Sequence, residues 1–129
     1  MASNPADLMP RTKLDTERAE QIVALGFPAI EGVAWELLQW TQDINWPVAQ
    51  VLCPFFASVG EPLAPYMRAV FETDDGPWKY QALNHIVARS PELRAALLPE
   101  LGRMALTPTP VEQAEEVHLA AQEVLDQPR

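Results

Sequence analysis

PVAQVLCPFFASVGEPLAPYMRAVF, residues 47–71, reads as two short helices joined with almost no slack. Pro47 suits a first helical turn, and Val48, Val51, Leu52, Phe55, Phe56 and Val59 fall on one stripe at helical spacing. That helix buries the stripe and stops at Gly60, a residue that accepts the left-handed backbone of a helix end. Glu61-Pro62 opens the next helix, which turns Leu63, Met67, Val70 and Phe71 inward. Pro65 is harmless there, because first-turn amides have no partner within the helix. Pro54, inside the first helix, removes the bond to the Gln50 carbonyl and predicts a kink.

The same punctuation continues in both directions. Asp15 is a good cap for a helix that reaches Leu25 and stops at Gly26, and Pro28 opens one carrying Ile30, Val33, Ala34, Leu37, Leu38 and Thr41 on one face, until Gln42-Asp43 ends the pattern. Toward the C-terminus, Pro77-Trp78 starts a helix that buries Ala82, Leu83, Ile86 and Val87. Ser90-Pro91 caps a sixth, within which Pro99 is a point of division. A seventh follows Pro108-Thr109-Pro110, with Ala114, Val117, Ala121, Val124 and Leu125 on one face. No run of alternating β-branched residues lies between hairpin turns, so the chain is expected to be all-α, with about seven helices. Residues 1–14 are expected to be an extended segment and residues 126–129 a frayed tail of one domain spanning 1–129.

Faint repeats accompany the prolines. Ala29, Leu63 and Leu97 are spaced by 34, as are Val33, Met67 and Leu101; Leu52 and Leu83, and Phe56 and Val87, are spaced by 31. Antiparallel helical hairpins of this length cannot cover their own apolar faces, which points to stacking as a short HEAT-like α-α superhelix. A closed helical bundle is the alternative, since amphipathic helices of similar length match one another at some offset.

Composition narrows the function. Nine Lys+Arg stand against 18 Asp+Glu, a formal charge of −9, and the basic residues are scattered, which excludes a nucleic-acid binder. Cys53 alone makes neither a disulfide framework nor a multi-cysteine zinc site. Five glycines leave no material for a phosphate loop, and neither cofactor nor metal is expected. The start MASNPADLMPRTKLD lacks a secretory pattern and no run is long and apolar enough for a membrane span, so a cytoplasmic setting without membrane attachment is expected. His85 and His118 lie on different helices. His118, sharing the apolar stripe of the last helix, is expected to be a hydrogen-bonded residue at the core's edge, and Cys53 a small buried hydrophobe.

The most distinctive composition lies in Trp40-Thr41-Gln42-Asp43-Ile44-Asn45-Trp46-Pro47 and, about one repeat later, Asp74-Asp75-Gly76-Pro77-Trp78-Lys79-Tyr80. Both occupy junctions that a stack of hairpins places at the same end, so they should be neighbours. Trp40, Trp46, Trp78 and Tyr80 would supply rigid contact area, Gln42 and Asn45 polar contacts, Asp43, Asp74 and Asp75 negative charge, and Lys79 a single cation. The plainer reading makes Asn45 and Asp75 helix caps and the tryptophans packing groups.

These two segments, with the start LMPRTKLD, resemble the bacterial family called domain of unknown function 5071. The resemblance covers most of the chain and rests on Gln42 to Pro47, Asp74-Asp75 and Trp78 to Tyr80. It implies a small helical, HEAT-like bacterial domain and leaves the activity open. From charge and size, the preferred function is a non-enzymatic module that binds another protein, a basic one, with an immunity-like role as one form of it. The alternatives are a small-molecule or metal-assisted enzyme using Asp43, Asp74 and Asp75, and a homodimer contact without catalytic role.

Overall fold

The structure, a computed structural model, describes residues 4–128. It is all-α, with no strand among the described residues. The helices are α1 (Thr16–Val23), α2 (Phe27–Ile30), α3 (Ala34–Leu38), α4 (Pro47–Val59), α5 (Ala64–Phe71), α6 (Gly76–His85), α7 (Pro91–Ala96), α8 (Leu98–Leu106), α9 (Pro110–Ala114) and α10 (Val117–Leu125). Single 3₁₀ turns run α2 into α3 and extend several ends, so these pieces group into seven helical stretches, close to the number that the prolines mark.

The caps explain the boundaries. Asp15 accepts the Arg18 amide at 3.3 Å, Asp75 the Trp78 amide at 3.0 Å and Ser90 the Leu93 amide at 3.2 Å, each satisfying a first-turn donor. Gly26 and Gly60 stop their helices at φ +82° and +76°, a backbone that side chains with a Cβ resist. After Gly26 the chain turns through 113° into the stretch 27–41. α4 runs unbroken through Pro54, which lies on the exposed side beside exposed Gln50. Solvent can therefore take the Gln50 carbonyl that the proline leaves without its helical partner.

One apolar cluster extends from Ala19 in α1 to Val124 in α10. α1 packs on α4, α4 on α6, and α6 on α10, while α8 lies against α10. Ile30, Ala34, Leu37 and Leu38 fill the core from the second stretch, and Leu63, Met67, Val70 and Phe71 from the fourth. The 31-residue spacing holds, with Leu52 and Leu83, and Phe56 and Val87, all buried. The 34-residue spacing fails at its start, because Ala29 is exposed and Phe27 and Ile30 take the inward positions.

Two expectations are corrected. Residues 4–14 are not extended: Asn4 accepts the Ala6 amide at 3.0 Å and folds Pro5–Leu8 into a 3₁₀ turn. The segment is then tied down by the Arg18 guanidinium on the Asp7 carbonyl and by the Val48 amide on the Lys13 carbonyl at 3.1 Å. Residues 1–3 lie outside the described residues. At the other end α10 stops at Leu125, where the expected tail begins, and Arg94 donates to the carbonyls of Val124, Leu125 and Gln127 at 2.8, 2.8 and 3.0 Å, placing a cation at the helix terminus; Arg129 lies outside the described residues. The last helix is also broken at Glu116, whose φ of 60° separates α9 from α10 and leaves Ala114 exposed instead of on the common face.

Gly76 marks a close approach between α6 and the end of α9. A Cβ there would lie 2.6 Å from Glu115 Cγ and 2.9 Å from its Cβ, whereas one at Gly102, inside α8, meets nothing within 4 Å. Gly76→Ala is expected to destabilise by about 1–3 kcal/mol through overpacking. Gly102→Ala should stabilise by about 0.5–1 kcal/mol through helix propensity. Chemical denaturation of the two variants checks the opposite signs.

Candidate functional site

The two distinctive segments do meet. The Trp78 indole donates to Thr41 Oγ1 at 3.2 Å, and Thr41 donates in turn to the Leu38 carbonyl at 2.6 Å. Trp78 itself is 4% exposed and stacks at a tilt on Trp35, ring centres 5.5 Å apart. It therefore joins the two segments from inside and offers no surface.

The second segment is mostly consumed by packing. Asp75 caps α6, and its carboxylate is only partly exposed. Lys79, expected as a surface cation, is 2% exposed and donates to Glu112 Oε2 at 2.9 Å. Asp74 remains exposed, and so does Tyr80.

The first segment keeps its surface. Asp43 accepts the Asn45 amide at 2.8 Å, forming a local turn before α4, so the turn-forming side chain is Asp43 and not the expected Asn45, which stays exposed. Trp40 and Trp46 are half-buried and meet edge to face, ring centres 6.2 Å apart and planes at 66°. With Glu36, Gln39 and Gln42 they line a shallow depression of about 320 Å³. Tyr80 lines a different one, with Pro77, Gln81, Ala114, Glu115 and Glu116. The single edge expected from the sequence is thus two surfaces divided by the buried Trp78 and Lys79.

Glu112 is the group that sequence reasoning missed. It is fully buried, and each carboxylate oxygen accepts two hydrogen bonds. Oε1 takes the Thr109 amide at 2.8 Å and Arg103 Nη1 at 2.9 Å; Oε2 takes Lys79 at 2.9 Å and Arg103 Nη2 at 2.6 Å. Burial opposes its charge, but the Arg103 hydrogen bonds, the Thr109 amide and Lys79 together outweigh burial and hold the carboxyl down at about 2. The signal was present in Thr109-Pro110-Val111-Glu112, the spacing of a capping box, and the structure forms that box.

The remaining polar groups are less engaged. Cys53 is buried as expected; burial pushes its thiol up to about 12, with the Arg89 charge pulling weakly the other way. His118 is half-buried, but its Nδ1 has no hydrogen-bond partner, which corrects the expectation of a satisfied residue. Among the described residues no three His, Cys, Asp or Glu side chains gather as a metal-holding group, and no single helix is long and apolar enough to cross a membrane.

Glu112→Gln leaves Lys79 and Arg103 facing a neutral amide and is expected to destabilise by about 3–5 kcal/mol at neutral pH. The folded carboxyl sits below the usual 4.5, so its contribution is present above that value and is lost as the pH falls through about 2. Denaturation midpoints of both proteins between pH 7 and 2.5 should therefore converge at the acid end. A constant gap would show that the charge does not carry the effect.

No curated protein matches this sequence. A family does, over residues 8–125 of the 129. The matched span runs from the turn that precedes α1 to the last residue of α10, and so takes in both distinctive segments and the Lys79–Glu112–Arg103 network. The chain belongs to the family described as domain of unknown function (DUF5071).

Proposed function

We propose that the chain is a non-enzymatic, short HEAT-like helical module that binds a basic protein through the Trp40–Trp46 surface. The observation that carries this reading is the half-exposed, edge-to-face tryptophan pair beside Glu36. Tryptophan gives large contact area with few rotatable bonds to immobilise, and a neighbouring carboxylate selects for positive charge. Asp43 and Asn45, next to Trp46 in the chain, add polar groups, and the chain's charge of −9 would speed encounter with a basic partner. An immunity-like role in the bacterial cytoplasm, in which this protein covers a basic toxin, fits that size and charge.

The enzyme alternative asked for an enclosed pocket holding a desolvated carboxylate from Asp43, Asp74 or Asp75, with Lys79 pointing into it. Lys79 does point inward, but toward Glu112, while Asp43 and Asp75 bind backbone amides at the surface. That arrangement favours binding over catalysis.

The test is affinity capture from native bacterial lysate at two salt concentrations. The wild-type protein should retain a basic protein at low salt and release most of it at high salt, and Trp40→Ala/Trp46→Ala should lose it. Tyr80→Ala should capture normally. Equal capture by the tryptophan variant, or no capture by the wild type, overturns the proposal, and a self-associating wild type in sedimentation would instead make the surface a homodimer contact.

A further inference from the structure

The Trp40–Trp46 corner is held in place from within the fold. Asn45 donates its amide to the Asp43 carboxylate at 2.8 Å, Trp46 donates its amide to the Asp43 carbonyl at 3.0 Å, and the Gln50 carboxamide donates to the Ile44 carbonyl at 3.2 Å. Those three bonds fix the loop that delivers Trp46 to the start of α4. Trp40 sits in the 3₁₀ turn Gln39–Thr41, whose last residue is buried and accepts the Trp78 indole. Both rings pack on the core and meet each other with planes at 66°, which makes them two walls of a corner. A corner set in advance spares an occupant the entropy of ordering it.

The rim is polar and carries one net negative charge. Glu36, one turn before Trp40, is exposed and forms no ion pair among the described residues, while Gln39 and Gln42 add carboxamides. Among the described residues, none that lines the depression is basic. Indole faces and an unpaired carboxylate both favour a cation. The shallowness of the site then discriminates between cations, because an occupant stays partly in water. A lysine ammonium is a compact, strongly hydrated charge and loses more water than such contacts return. A guanidinium is weakly hydrated and planar: it can lie flat on an indole while its edge N–H groups meet carboxylate and carboxamide oxygens.

We infer that the group this corner takes from a basic partner is an arginine side chain, stacked on an indole and paired with Glu36. The inference rests on the binding function proposed above and adds the residue type that the partner presents.

Two-dimensional NMR of the full chain tests it through the indole N–H signals, with blocked Gly-Arg-Gly, Gly-Lys-Gly and Gly-Gln-Gly as probes. The arginine peptide should move the Trp40 and Trp46 signals and leave that of buried Trp78, with a Kd of about 1 mM for a single side chain. The lysine peptide should bind about threefold or more weakly, and the glutamine peptide more weakly still. Glu36→Gln should weaken the arginine peptide by about threefold or more, whereas Glu123→Gln, the same charge change on an exposed residue of α10, should leave it unaltered. Equal binding of the arginine and lysine peptides, unmoved Trp40 and Trp46 signals, or equal weakening by the two variants would overturn the inference. The comparison of peptides on the wild-type chain decides it even where a variant loses its fold. Capture from lysate that depends on Trp40 and Trp46, together with no preference among the peptides, overturns this inference and leaves the binding function standing. An arginine preference with no protein retained by the wild type overturns the binding function instead.

Discussion

A carboxylate with no solvent contact holds the C-terminal half of this protein together. Glu112 is reached by Lys79 from α6, by Arg103 from α8 and by the Thr109 amide at the start of its own helix. A lone buried charge would cost several kcal/mol in lost hydration, and an ion pair recovers that only when its geometry and remaining lone pairs are satisfied. Here each oxygen accepts two donors, so α9 is drawn onto α6 and α8 at a fixed place. Arg103 keeps part of its guanidinium in water, which spares the group a second fully buried cation. Downstream features follow from that anchor. With α9 pinned, Glu115 lands on Gly76, and the chain reaches α10 through the left-handed Glu116.

The helices were legible because their ends are written locally. Asp15, Ser90 and Asp75 cap where they stand, Gly26 and Gly60 take positive φ, and the helical prolines fall in first turns or, at Pro54, on a solvent face. Each of those effects is decided within four residues, and the apolar stripes between them then have only one face to bury. What failed depended on distance along the chain. The Lys79–Glu112 pair spans 33 residues, and a lysine in an amphipathic helix is nearly always solvated, so nothing local marks Lys79 as buried. Arg94 closing α10 spans 30. The break at Glu116 is equally silent, because its strained backbone follows from where α9 and α10 must pack and not from a turn-forming residue.

The site was half legible for the same reason. An Asp-rich, Trp-rich composition predicts both caps and contacts, and the two segments divided those roles. Asp75, Trp78 and Lys79 went to the interior, while Trp40, Trp46 and Asp74 kept exposure. The indole of Trp78 is spent on Thr41 inside the fold, whereas Trp40 and Trp46 pair with each other and stay half-buried.

Internal pairing also sharpens the electrostatics that any partner meets. Of the nine basic side chains, Arg18 faces Asp15, Arg68 faces Glu100, Arg103 and Lys79 share Glu112, and Arg94 is committed to the carbonyls that end α10. Among the described residues those pairs join four cations to three carboxylates, and Arg94 makes a fifth engaged cation, while most of the acids face water. The surface is therefore more one-sided than the formal charge conveys at short range, where paired groups cancel and lone ones do not. A field of this kind would attract a basic group from any direction, so specificity would have to come from a place where shape adds to charge. The half-buried tryptophan pair beside Glu36 is where the proposed function looks for both.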